Sequence, residues 1–334
     1  MSLTERRHDV VALAVATWAL LRMGVATARD ASPWAWASWL AAAAFLALLL
    51  PSLQHALRER VRAAPALRAT LPAALIAIGI VALVGSGVIA SGRVSVWRVV
   101  AVTVVAVLAF VAAGRGEEPL GGWRLLGLAV CLGLVAGGWD RGARIAVPGN
   151  LRLGFSFFCA AALGIYLLGV VRVQRSFDVR LGLGAREVAT ALGAVGALVL
   201  IAIPLGLLVD YVVWNPKSDP PLAALERFVS LVVFVGLPEE LLFRGMVQEG
   251  LSRLAGSRAG LLATSALFGL AHITKQTGLL PGQVNALELN WRYAALAALA
   301  GLAYGWVYQR TRRLSAAALT HGGVDWLWSS FFLR

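Results

Sequence analysis

Apolar runs of about 17 to 25 residues recur along this chain, separated by short turns containing Pro, Gly and Arg. A run of that length, wound as a helix, matches the hydrocarbon core of a bilayer. The pattern predicts spans near 9–27, 34–50, 71–91, 96–113, 123–138, 153–171, 188–213, 222–246, 259–274, 291–308 and 315–332. The predicted fold is therefore all-α, a polytopic transmembrane helix bundle of about eleven spans. It has ten if the short, glycine-rich 123–138 stretch does not cross. The first apolar stretch, Val10 to Ala26, is followed by no small-residue cleavage site and polar mature sequence, so it reads as a span rather than a signal peptide.

Composition agrees with a membrane protein. Of the 334 residues, 59% are hydrophobic and 14% charged, against about 25% charged in soluble domains. The net charge of +13 comes from Lys and Arg scattered through short loops. Nothing gathers them onto one face, which argues against a nucleic-acid partner and for anionic headgroups of a lipid bilayer. Arg6 and Arg7, the stretch from Gln54 to Thr70, the segment from Arg172 to Arg186 and the segment from Gln309 to Arg313 all fall on one side if eleven helices cross. The positive-inside rule makes that side, and the N-terminus, cytoplasmic. The alanine-rich, lysine-poor composition suggests a bacterial inner membrane. Cys131 and Cys159 lie in apolar runs, offer no metal spacing and read as packing residues.

Polar groups divide the chain. Residues 1–186 hold about six apolar helices of unassigned role. Residues 187–334 hold every polar cluster inside an apolar run, and the basic stretch before Arg186 reads as an interfacial boundary. Pro238-Glu239-Glu240-Leu241-Leu242-Phe243-Arg244 places two carboxylates and a guanidinium where each costs at least ~2.5–3.5 kcal/mol near a span centre. Glu240 and Arg244, four apart, share a helical face and can pair. Glu239 lies about 100° away and becomes the carboxylate for general-base work, while Pro238 is expected to kink the helix and admit water. Phe268 and His272 form a second pair at the same spacing. His321 and Asp325 form a third, in which Asp325 can orient the imidazole and Gly322 and Gly323 permit close helix approach.

Two chemistries fit these groups. In one, Glu239 and His272 deprotonate a water that attacks a peptide carbonyl, with His321 and Asp325 steadying the oxyanion. In the other, His272, His321 and Glu239 ligate Zn²⁺, which activates the water. The residues alone leave that choice open. Ser265, Ser315 and Thr320 lie in no nucleophile-elbow pattern, and Asp210 reads as a span-end aspartate. A proton-coupled carrier or a non-catalytic membrane scaffold would use the same buried groups. A carrier, however, usually shows paired broken helices in two repeated halves.

The ordered set Glu239-Glu240-x-x-x-Arg244, Phe268-x-x-x-His272 and His321-x-x-x-Asp325 resembles the CPBP intramembrane proteases, the CAAX-processing and bacteriocin-processing (Abi) family that includes the type II CAAX prenyl endopeptidases. Leu242-Phe243-Arg244-Gly245 and the Gly301 to Gly305 helix share the likeness, which covers about residues 187–332. The resemblance implies an intramembrane endopeptidase acting on a membrane protein or peptide. Glu239 and His272 would activate water, Glu240 and Arg244 would support them, and His321 with position 325 would stabilise the oxyanion. The family often has asparagine where this chain has Asp325. An ionised aspartate donates no hydrogen bond, so an orienting role is expected here. The family has been described both as metalloproteases and as glutamate-type proteases.

Overall fold

The computed structural model describes residues 3–30, 32–85, 121–136, 144–171, 179–209, 211–274 and 289–332, with positions 95, 97 and 104 in isolation. The described residues are almost entirely helical and form two compact units, Met1–Gly182 and Leu183–Arg334.

In the first unit, α1 (Leu3–Asp30) and α2 (Pro33–Ala47) pack together, with Ser32 capping α2 through the Ala35 amide. The arginine-rich stretch read as a loop is instead helix α3 (Pro51–Ala63), bent 92° from α2, followed by a 3₁₀ turn over Pro65–Ala69. It is amphipathic: Gln54 and Val61 are buried while Arg60 and Arg62 face outward. Helix α4 (Thr70–Gly85), α5 (Gly122–Ala136) and α6 (Phe155–Ile165, continued by a wide π-type turn to Val171) are the other helices among the described residues of this unit. Arg58 donates to the Gly169 carbonyl at 2.7 Å, tying α3 to that turn.

A hairpin that the hydrophobic pattern did not suggest joins α5 to α6. Strands β1 (Arg144–Val147) and β2 (Leu151–Gly154) pair antiparallel, Val147 opposite Leu151. The connection uses Gly149 and Asn150 at positive φ, a conformation asparagine tolerates better than most residues. Cys131 and the buried Cys159 are both free thiols.

The second unit contains five helices among the described residues: α7 (Ala185–Leu208), α8 (Pro221–Ala255), α9 (Ser257–Ala271), α10 (Trp291–Thr311) and α11 (Leu314–Phe331). Helix α7 stops at Leu208 rather than near 213. Asn215 and Lys217 instead donate backbone hydrogen bonds to the carbonyls of Phe331 and Ser330, fastening the 211–220 segment to the end of α11. Helix α8 runs through Pro238 unbroken. Two π-type segments, Leu231–Gly236 and Phe243–Gln248, flank the glutamates and absorb the missing proline donor by widening the turn. Helix α9 packs on α10, and α11 packs on α7, α8 and α10.

Four described helices are long and apolar enough to cross a membrane: Arg6–Asp30, Pro65–Ala82, Ala185–Leu208 and Pro221–Ala255. The bent α2–α3 pair makes a fifth if it is one span. The predicted span at 96–113, the start of the interfacial stretch and Asp210 lie outside the described residues.

Candidate active site

The site begins with a stripe on α8. Glu240, Arg244 and Gln248 recur every four residues and all three are buried. Arg244 Nε lies 2.9 Å from Glu240 Oε2, both side chains wholly enclosed. Arg244 Nη2 donates to the Gly301 carbonyl at 2.8 Å, and Gln248 Nε2 donates to the Gly305 carbonyl at 3.2 Å. Equal strides on α8 and α10 show that these helices run parallel here, in fixed register. Gly305 leaves room for this: a Cβ there would come within 2.6 Å of Gln248 Oε1, so the amide would have to shift. Aromatic faces enclose the guanidinium, whose carbon lies 5.0 Å from the Phe268 ring, 5.5 Å from Tyr304 and 5.9 Å from Phe243. Desolvated cation–π contacts contribute about 2 kcal/mol or more, which offsets part of the burial penalty.

His321, on α11, meets that stripe from the other side. Its Nδ1 lies 2.8 Å from Glu240 Oε1. Its Nε2 is 3.5 Å from Asp325 Oδ2 and 3.9 Å from Glu239 Oε2. Tyr304 stacks on the ring, centroids 4.6 Å apart at 15°. Glu240 is thus the tighter orienting partner, with Asp325, expected in that role, on the opposite nitrogen. This short link needs the backbones of α8 and α11 to approach closely. Gly236 lies against the Ala318 carbonyl, where a Cβ would come within 2.8 Å, and a Cβ on Gly322 would come within 2.7 Å of the Val232 backbone. Gly323 meets only ordinary contact, with Val195.

His272 caps the end of α9, where Nδ1 lies 2.8 Å from the Phe268 carbonyl. A carbonyl only accepts, so Nδ1 carries the proton, and Nε2 is the acceptor nitrogen when the ring is neutral. Phe268 touches both imidazoles, at 4.6 Å from His272 and 5.7 Å from His321. Both histidines and Asp325 wall one cavity of about 110 Å³, together with Phe268, Tyr293 and Tyr304. Glu239 reaches this group beside His321 Nε2 and is about a quarter exposed. Among the described residues neither glutamate is itself a wall of the cavity.

The sequence reading missed the tyrosines. The chain has five, and three of them, Tyr211, Tyr293 and Tyr304, line this cavity. That concentration was the available signal. Tyr211 stacks on Tyr293 at 5.7 Å and on Trp328 at 5.4 Å. Burial raises the Tyr211 phenol above its ordinary value, opposed by a side-chain hydrogen bond with Asn290, so the hydroxyl stays protonated. Ser265 and Thr320 turn their hydroxyls back to their own helix, on the Leu261 and Ala316 carbonyls. Among the described residues no group of three His, Cys, Asp or Glu side chains is placed to hold a metal ion.

Residues 220–327 match the family described as type II CAAX prenyl endopeptidase Rce1-like. The match supports the CPBP, or CAAX protease, family for this segment. The Rce1-like segment lies wholly within the second unit and contains all three paired motifs, from Glu239 to Asp325. The family is one of proteases, and the apolar helices support an integral membrane protein. No significant match was found among curated proteins or among solved structures.

Proposed function

We propose that the second unit is an intramembrane endopeptidase that hydrolyses a peptide bond of a membrane-associated protein or peptide. The observation that carries this reading is the shared enclosure of two imidazoles and a carboxylate, with Glu239 against the same imidazole that Glu240 orients. A gap of 3.9 Å between Glu239 Oε2 and His321 Nε2 exceeds a direct hydrogen bond and suits a bridging water.

In this mechanism Glu239, with His272 Nε2, takes a proton as water oxygen bonds to the scissile carbonyl carbon. The carbonyl oxygen becomes an oxyanion beside His321. Nδ1 of that ring stays on Glu240, whose charge Arg244 holds in place, so Nε2 can donate when protonated. Asp325 steadies it. The carbon–nitrogen bond then breaks, and the leaving amine takes the proton that water released.

A 150 Å³ cavity takes benzene, ~25 Å³ per non-hydrogen atom, so about 110 Å³ accommodates roughly four atoms. That suits an amide carbonyl with its water and excludes a polyprenyl chain from this chamber. We place the N-terminus in the cytoplasm, from the arginine distribution and an odd number of crossings near eleven. The first unit is the accompanying membrane region.

The test is cleavage of membrane-anchored reporter peptides by the full chain in proteoliposomes. Glu239→Gln and His272→Ala should each lower kcat by about 10²–10⁴-fold. Parent-level cleavage by either variant would remove the assigned base.

A further inference from the structure

A second opening in the same unit serves no step of that chemistry. It is a groove of about 650 Å³ between α7 and α10, lined also by Leu261 of α9. We infer that this groove binds one anionic phospholipid, its acyl chain along α7 and its phosphate between Arg186 and Arg310.

Three features support this occupant. The first is charge. Arg186 and Arg310 both line the groove, and among the described residues neither has a carboxylate partner. Their neighbours are already paired: Arg313 lies 3.6 Å from Glu187, and Arg312 lies 3.2 Å from Glu249. Two unneutralised guanidinium groups at the mouth of an apolar channel complement a phosphodiester.

The second is length. The groove extends along α10 from Leu299 to Arg310, about 16 Å at 1.5 Å per residue. One leaflet of a ~30 Å hydrocarbon core is about that deep. At the ~25 Å³ per non-hydrogen atom used above, the volume takes roughly two dozen atoms, enough for an acyl chain.

The third is composition. Gly193, Ala197 and Ala303 leave the floor open for a chain. Trp306, 43% exposed, lies under Arg310 at 5.8 Å, and tryptophan beside arginine is the pairing found at headgroup level. Leu198 walls both this groove and the 110 Å³ cavity, so a bound tail lies against the back of the catalytic chamber.

Gly193 provides a test that leaves both arginines in place. A Cβ there meets nothing within 4 Å, so a side chain can start from this position of the groove's lining. The full chain would be reconstituted in nanodiscs of equal phosphatidylglycerol and phosphatidylcholine, and retained lipid measured by native mass spectrometry. Wild type should retain phosphatidylglycerol preferentially. At about 1 kcal/mol per arginine, roughly five-fold, Arg186→Gln with Arg310→Gln should cut that preference about 25-fold. Gly193→Leu should abolish retention with both charges present. Arg258→Gln, an exposed arginine on α9 that does not line the groove, should behave as wild type.

Equal retention of the two lipids by wild type overturns the proposal. So does retention by Gly193→Leu, which would reduce the arginines to surface attraction. Loss of a co-purified peptide or of a dimer in Gly193→Leu, with no lipid preference, would overturn it in favour of that occupant. All these readouts are independent of proteolysis.

Discussion

Replacing Arg244 by methionine keeps the side chain's length and apolar contacts and removes its charge. Glu240 then sits wholly enclosed with His321 as its remaining close partner. Breaking a buried ion pair from one side costs about 3–5 kcal/mol, because the surviving charge stays out of water. The lost hydrogen bond to the Gly301 carbonyl and the three aromatic contacts place the cost toward the upper end. For a unit of this size each kcal/mol corresponds to roughly 2–4 °C, so the apparent Tm should fall by about 6–20 °C. Adding Glu240→Gln removes the stranded carboxylate, and its amide oxygen can still accept from His321. The double variant should therefore be no less stable than Arg244→Met alone, giving a coupling of about 3 kcal/mol or more. The assay is thermal unfolding of all four cycle members in one detergent or nanodisc. A single variant within about 1 kcal/mol of wild type, or a double whose cost equals the sum of the singles, would refute the paired, desolvated reading of this site.

Glu239 is partly exposed and outside the α8 clamp. Glu239→Gln should therefore lower cleavage by about 10²–10⁴-fold while leaving Tm within about 0.5 kcal/mol equivalent, read by kinetics and unfolding on one preparation. Gly322→Val should force α11 from the Val232 backbone, costing about 1–3 kcal/mol and weakening the Glu240–His321 link; cross-linking between Cys substitutions on the two helices would report the separation. Tyr304→Phe preserves the stacked ring and should be stable, whereas Tyr304→Ala should lose about 3–5 kcal/mol by thermal unfolding. Gly193→Leu, which meets open space inside helix α7, should raise Tm by the equivalent of about 0.5–1 kcal/mol in a lipid-free detergent.

Sequence spacing made some of this legible and hid the rest. The pairs Glu240–Arg244, Phe268–His272 and His321–Asp325 are neighbours because helical geometry alone decides which residues four apart share a face. Contacts between helices depend on register and crossing, which one sequence leaves open. The contact of His321 with Glu240, its stack on Tyr304 and the Arg244 bond to the Gly301 carbonyl therefore became visible only in the fold. Arg60 and Arg62 marked a polar stretch, but the buried Gln54 and Val61 were the cue that it is an amphipathic helix. The hairpin at Arg144–Gly154 hid in a short segment between long apolar runs, with Pro148-Gly149-Asn150 as its turn signal. Pro238 was read as a break; the widened turns beside it keep α8 continuous instead.

The widened turn at Phe243–Gln248 separates two attachments of one helix. On its near side, Glu240 grips an imidazole of α11; at its far end, Gln248 grips a carbonyl of α10. Excising a single residue from within 245–247 would rotate everything downstream by about 100° while leaving the glutamates where they are. Chain length, rather than side-chain identity, is thus the handle that uncouples the acid–imidazole contact from the anchor that aligns the parallel helices.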